Sequence, residues 1–153
     1  MSAHNKPKLV GINHVAIEVG DIEEALTFYG KIFTFTLRGR SDRSAFIDIG
    51  DQFINLTTRD PSLGRADDSV ERRHIGLVVD DRTSVRALAE AAGARMVAGP
   101  FLDFLDPWGN RIEVVEYANV QFTKAPQVLR GMGLDLGKNP KARRELAEKG
   151  LGE

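Results

Sequence analysis

The chain has 153 residues, 42% of them apolar, a formal net charge of −1 and no cysteine. That length suffices for one ordinary core or two small modules packed closely together, and the balanced charge argues against a nucleic-acid or membrane-surface role, since either needs a basic field. Without cysteine there are no disulfides, thiolate metal sites or cysteine nucleophile, so a metal would have to be held by histidine, carboxylate, amide or water.

The polar start MSAHNKPK lacks the apolar stretch of a signal peptide, and no apolar run approaches the roughly 20 residues of a spanning helix. A cytoplasmic protein is expected, with residues 1–8, His4 included, predicted to be disordered. Residues 9–19 alternate, with Val15, Ile17 and Val19 on one face and His14, Ala16 and Glu18 on the other, which predicts a strand. Asp21 is a good helix N-cap, Glu23 and Glu24 suit the first turn, and Ile22, Leu26, Tyr29 and Phe33 form a helical stripe. Strands are predicted over 33–38, 44–49 and 53–58, separated by 39–43 and by the turn Gly50-Asp51. This completes a βαβββ module over residues 9–59.

Residues 60–72 are polar, with Pro61, Gly64, Asp67 and Asp68, and read as a linker. A second module over 73–117 follows in the same order: a strand over 74–79, a helix over 82–92, a break at Gly93, then strands over 95–97, 101–105 and 111–117. Asp106-Pro107-Trp108-Gly109-Asn110 forms the tight reversal before the last strand. Residues 118–153 are a tail outside the repeat. Asn139 as N-cap, Pro140 and Gly150 predict a helix over 139–149. The tail is expected on the outside of the fold or on a partner subunit, with a lid over the site as the alternative. Phe28, Tyr29, Phe33 and Phe35 are expected in the core; Phe35, Phe46 or Phe101 could instead line an apolar pocket.

The two modules repeat at the level of residues. GINHVAIEVGDIEEALTFY and RHIGLVVDDRTSVRALAEA align when His14 is set on His74, and these are two of only three histidines. Superposing the fourth strands sets Phe53-Ile54-Asn55-Leu56 on Arg111-Ile112-Glu113-Val114, so that Asn55 and Glu113 are equivalents. A pseudo-twofold would bring the two imidazoles to one point. Two neutral imidazoles, one carboxylate and open positions suit Fe(II), Mn, Co, Ni or Zn.

The pieces NHVAIEVGDIEEALTFY, RHIGLVVDD and FLDPWGNRIEVVEY resemble the vicinal oxygen chelate superfamily of glyoxalases, bleomycin- and fosfomycin-resistance proteins, methylmalonyl-CoA epimerases and extradiol dioxygenases. The resemblance covers residues 9–117. It implies an α+β fold of two βαβββ modules in pseudo-twofold pairing, whose curved mixed sheet surrounds one divalent metal ion per site. The implied ligands are His14, His74 and Glu113, with Asn55 as a weak fourth ligand or a hydrogen-bonding partner of water or substrate there; Glu113 and Asn55 are the candidate catalytic residues. It also implies a homodimer and a small-molecule substrate.

Particular residues separate the chain from named relatives. Glyoxalase I usually has Glu in place of Asn55, fosfomycin-resistance enzymes have threonine in place of Ala16, and extradiol dioxygenases have tyrosine in place of Asp103. The epimerases have an amide near Asn55. The reading is a metal-dependent enzyme acting on a small oxygenated molecule by Lewis-acid catalysis, with glyoxalase-like lyase or isomerase chemistry ahead of ring-cleaving dioxygenation. A non-catalytic ligand-binding protein of the bleomycin-resistance kind is the rival. Arg38, Arg40 and Arg43 are expected to form a solvated turn, with contact to an anionic substrate as the alternative.

Overall fold

The computed structural model describes residues 6–58 and 72–152. The expected linker, apart from Arg72, and the first five residues lie outside that range. The first module contributes β1 (Leu9–Glu18), α1 (Ile22–Gly30), β2 (Thr36–Arg40), β3 (Ser44–Asp48) and β4 (Phe53–Thr57). The second contributes β5 (His74–Val79), α2 (Val85–Ala91), β6 (Arg95–Val97), β7 (Asp103–Leu105) and β8 (Arg111–Glu116). All eight strands form one mixed sheet in the order β2-β3-β4-β1-β5-β8-β7-β6.

That order reads the same from either end once the modules are exchanged, and it places the α+β pseudo-twofold between β1 and β5. β1 is parallel to β4 and β5 is parallel to β8, while β1 and β5 meet antiparallel. The two starting strands of one chain therefore pair with each other. Lys8 extends this seam by hydrogen bonds with Asp80, its N–H donating to Oδ1 at 2.7 Å.

Helix α1 begins where Asp21 accepts the Glu24 N–H at 2.9 Å, and its Ile22 and Ala25 bury against Ala45, Ile47 and Leu56. Leu56 is fully buried, a contribution of about 1.5–3 kcal/mol for a side chain of its size. The helix stops at Gly30, short of the predicted stripe. Phe28 lies about 100° round the helix from Tyr29, and Phe33 lies beyond the helix end, so both are largely exposed rather than in the core. A cavity of about 350 Å³ remains between α1 and the sheet, lined by Ile17, Tyr29, Phe33, Phe35, Ile47 and Leu56.

Strand β2 starts at Thr36 and runs to Arg40, later than predicted, with an irregularity between Leu37 and Gly39 that keeps the extended chain in register with β3. Helix α2 starts at Val85 rather than residue 82. Asp81 Oδ1 accepts the Thr83 N–H at 2.8 Å and also the Thr83 hydroxyl, and this side-chain turn holds the preceding residues out of the helix. Strand β7 is shorter than predicted, and Phe101 is exposed.

The tail folds back on its own chain. A 3-10 turn (Tyr117–Asn119), α3 (Pro126–Gly131) and α4 (Pro140–Glu148) follow β8, with Asn139 capping α4 as expected and α3 unforeseen. Tyr117, Phe122, Leu129 and Leu134 bury against Val10 and Val78. Because Val78 pairs with Gly11 and is two and four residues on from Gly76 and His74, this cluster lies on the sheet face opposite α1. A Cβ at Gly11 would overlap the Phe122 ring, so the close approach requires glycine there. Lys138 ties the tail down, donating to the carbonyls of Tyr117, at 2.5 Å, and Phe122; burial pushes its ammonium down to about 8 against the pull of Asp51. Lys149 reaches Asp48 at 2.6 Å and the Gly50 carbonyl at 3.0 Å. Among the described residues, no helix is long and apolar enough to cross a membrane.

Candidate metal centre

Strand alternation puts His14 and Ala16 of β1, Phe53 and Asn55 of β4, His74 and Gly76 of β5, and Glu113 of β8 on one face, the face that the tail shares. The register makes the repeat concrete. Ala16 pairs with Asn55, and Gly76 pairs with Glu113, so Asn55 and Glu113 occupy corresponding places in the two modules.

Across the seam, His14 lies opposite Gly76 and His74 opposite Ala16. The two Nε2 atoms are 3.0 Å apart, with Glu113 Oε2 at 3.5 Å from His14 and 3.1 Å from His74. All three side chains come from a single chain. His14 is 5% exposed. A triangle of this size is what donors about 2.0–2.1 Å from a common divalent ion would form, so the residues present fit a metal.

Both imidazoles are turned so that Nε2 faces the centre. His14 Nδ1 is 2.7 Å from Asn13 Oδ1, and His74 Nδ1 is 2.7 Å from the carbonyl of Arg72. Donation from Nδ1–H to these oxygens leaves the Nε2 lone pair for a metal. Asn13 is available for this because of a bulge. The register of β1 on β5 slips between Ile12 and His14, so that two consecutive side chains, Asn13 and His14, are both buried. Simple alternation would have sent Asn13 to the other face, which is why the sequence did not reveal it.

Gly76 is equally necessary. A Cβ there would overlap the His14 ring and sit 2.6 Å from Asn13 Oδ1, so the imidazole occupies the space that any larger residue would fill. On its other side His14 stacks on Phe53, ring centroids 4.6 Å apart and planes 10° from parallel, and Phe46 meets Phe53 edge-on at 5.5 Å. These contacts fix the ring rather than merely permit its position.

Electrostatics follow from the same neighbours. Burial opposes charge on His74, but the Glu113 carboxylate and the Arg72 carbonyl outweigh it and hold the imidazole above its ordinary range. Burial likewise opposes charge on Glu113, yet the two imidazoles bring its carboxyl down to about 2. Asp103, paired with Glu113 across β7 and β8, is 2% exposed, and its Oδ2 accepts from Arg111 Nε at 2.9 Å and also from Nη2. Asn55 Oδ1 is buried and has no hydrogen-bond partner among the described residues, an acceptor on the triad face that suits a cation or water.

The cavity beneath α1 lies on the opposite face and is separated from the triad by the sheet. Trp108 stands at the tip of its turn, almost wholly exposed. Arg40 pairs with Glu23 as a solvated turn would allow, but Arg38 turns to the triad face and lies over Phe53.

A family model described as the Glyoxalase/Bleomycin resistance protein/Dioxygenase superfamily matches residues 11–114, more than half of the chain. No curated protein matches the sequence. Among solved structures, the Mn(II)-bound glyoxalase from Novosphingobium aromaticivorans is similar at 19% identity and a TM-score of 0.56, covering 78% of this chain and 43% of that one. A methylmalonyl-CoA epimerase variant from Streptomyces coelicolor, in complex with 2-nitronate-propionyl-CoA, is similar at 19% identity and a TM-score of 0.54, covering 73% and 100%. A hypothetical protein from Bacillus halodurans gives 20% identity and a TM-score of 0.53, covering 71% and 95%. These identities show a shared fold.

Proposed function

The chain belongs to the glyoxalase/bleomycin resistance protein/dioxygenase superfamily, and from that premise we propose that it is a metal-dependent enzyme acting on a small oxygenated molecule. His14, His74 and Glu113 hold one divalent ion, Fe, Mn, Co, Ni or Zn. The observation that carries this reading is the convergence of two Nε2 atoms and a carboxylate oxygen while both Nδ1 atoms are tied back to oxygen acceptors. Bound there, the ion supplies Lewis acidity to neighbouring oxygens of the substrate.

The chain's own residues do the rest. Two neutral imidazoles and one carboxylate leave a divalent site a net positive charge, which favours substrate oxygens that become negative during reaction. Asn13 and the Arg72 carbonyl hold the tautomers that keep Nε2 unprotonated. Phe46 and Phe53 keep water from the module-one side, and the tail cluster of Tyr117 and Phe122 closes the end of the face near Gly11. Asn55 offers its buried Oδ1 as a weak ligand or an orienting acceptor. Glu113 and Asn55 are the candidate catalytic residues, and glyoxalase-like lyase or isomerase chemistry is the reading put first. A shared fold with a Mn(II)-bound glyoxalase and with an epimerase supports it.

The donor set itself favours a second reading. Two histidines and one carboxylate with open positions are also the set used by ring-cleaving and other non-haem Fe(II) oxygenases. Metal content decides first. Protein purified without chelator or histidine tag, then reconstituted with each candidate ion, is expected to hold about one ion per chain and to lose it in His74→Ala. Preference for Fe(II) moves the chemistry to oxygenation. No binding at micromolar metal overturns the enzyme reading in favour of a ligand-binding protein.

A homodimer is proposed with it. Ile12, Val15 and Ile75 are more than a third exposed on the face away from the triad, which supports burial against a second copy. Sedimentation velocity at micromolar protein is expected to give a dimer, and a monomer would end the proposal.

A further inference from the structure

Arg38 projects from β2 to the triad face, where its guanidinium carbon lies 4.8 Å from the centre of the Phe53 ring. Phe53 is also stacked on the His14 imidazole. Two groups stacked on one ring take its two faces, so one phenyl ring separates Arg38 from the triad. We propose that Arg38 is an anion subsite of the metal centre: a carboxylate or phosphate group of the substrate binds its guanidinium while the substrate's other oxygens reach the His14, His74 and Glu113 donors. This rests on the metal-dependent reading of the triad and adds to it the charge of the substrate.

The case is one of missing compensation. Arg38 is half-buried, and the loss of hydration weighs more on its charge than the nearby Asp48 and Glu145 restore. Both acids are engaged elsewhere. Asp48 pairs with Lys149 at 2.6 Å and accepts the Gly50 N–H at 2.8 Å, while Glu145 accepts from Gln121 at 3.2 Å and lies 3.8 Å from Lys141. Among the described residues, no hydrogen-bond or ion-pair partner meets the Arg38 guanidinium.

Other arginines of the chain show what ordinary pairing looks like. Arg40 is paired with Glu23 at the surface, and Arg111 is paired with the buried Asp103. Arg38, half-buried and close to the triad, has only the ring among the described residues. The contact with the ring leaves the guanidinium N–H groups without a hydrogen-bond partner among the described residues, and such a planar fork takes a carboxylate or a phosphate through two parallel hydrogen bonds. The tail gains a second purpose here, since its Lys149 engages Asp48 and its Gln121 and Lys141 engage Glu145, the two carboxylates nearest Arg38 in effect.

The test uses metal-free protein, so that its outcome does not depend on the metal. Inorganic phosphate and acetate are titrated separately while the backbone amide resonances of β2 (Thr36–Arg40) are followed by NMR. Saturable shifts at millimolar concentrations are expected for one or both anions, phosphate alone pointing to a phosphorylated substrate and acetate alone to a carboxylate. Affinity should fall about tenfold or more in Arg38→Met, less in Arg38→Lys, and not in Arg40→Met. Absence of a saturable shift with either anion, or equal affinity in Arg38→Met protein whose circular dichroism is native, would overturn the proposal. One ion per chain together with no anion binding rejects the subsite and keeps the enzyme; anion binding with no metal does the reverse.

Discussion

The two modules share a backbone plan but differ in the side chains that surround their histidines. On the triad face, Phe46, Phe53 and Asn55 of module one correspond in register to Asp103, Arg111 and Glu113 of module two. At these three positions module one is aromatic and neutral, module two ionic. Each module delivers an imidazole to the pseudo-twofold axis, and only the second delivers a carboxylate. The repeat thus presents a symmetric pair of imidazoles in surroundings that are not symmetric. The triad has an aromatic wall on one side and the Asp103–Arg111 pair on the other.

The largest effect is expected from removing the asymmetric ligand. Glu113→Gln should weaken metal binding by about a hundredfold or more, since even partners that only orient ligands cost 10–100-fold. Asn55→Glu should tighten it by giving module one the carboxylate that module two already has. Calorimetric titration of both variants checks the comparison; equal affinities would mean that the difference between Asn55 and Glu113 has no bearing on the ion.

Next comes the seam. Gly76 and Ala16 are equivalent, yet only at Gly76 does a neighbouring imidazole fill the place of a side chain. Gly76→Ala should cost about 1–3 kcal/mol from overpacking and displace His14 from the metal, whereas Ala16→Gly should cost only about 0.5–1 kcal/mol. Denaturant melts with metal analysis distinguish them. If Gly76→Ala binds metal normally, His14 is not held by that cleft.

The tethers differ too, since His74 leans on a backbone carbonyl and His14 on the Asn13 side chain. Asn13→Ala should lower metal affinity about 10–100-fold without changing the donor set, and Asn13→Asp should largely restore it. Failure of Asn13→Asp to recover affinity would show that packing, not the hydrogen bond, orients His14.

The smallest effect is in pH. In metal-free protein the depressed Glu113 carboxyl contributes stability that is full above 4.5 and is lost as pH falls toward 2, and the raised His74 contributes stability that is full below 6.5 and is lost as pH rises through its raised value. Both contributions coincide between 4.5 and 6.5, where melting temperature should peak. Proton and metal compete for His74, so metal-loaded protein should be most stabilised above that window. Thermal melts with and without metal, taken across pH, give the two maxima; coincident maxima would show that the imidazole is not a ligand.

Much of this organisation was legible in the chain. The spacing of His14 and His74 and the alignment of Asn55 with Glu113 could be read because side chains on a strand alternate with a strict period, and a repeated pattern repeats the face. The N-caps Asp21 and Asn139 were legible because they act within three residues. Phe28 was misjudged because it lies about 100° round α1 from Tyr29, and Phe33 because α1 ends at Gly30.

By itself, then, the sequence determined the two modules, the starts of α1 and α4 and the pair of histidines in register, all consequences of local pattern. Tertiary structure alone decided that β1 and β5 of one chain meet, that a bulge swings Asn13 beneath His14, that Gly76 makes room for the ring, that Phe53 separates Arg38 from the triad and that the tail returns to the same face. Each of these depends on contacts between residues far apart in the chain, where packing and register outweigh any preference that a short stretch of sequence can express.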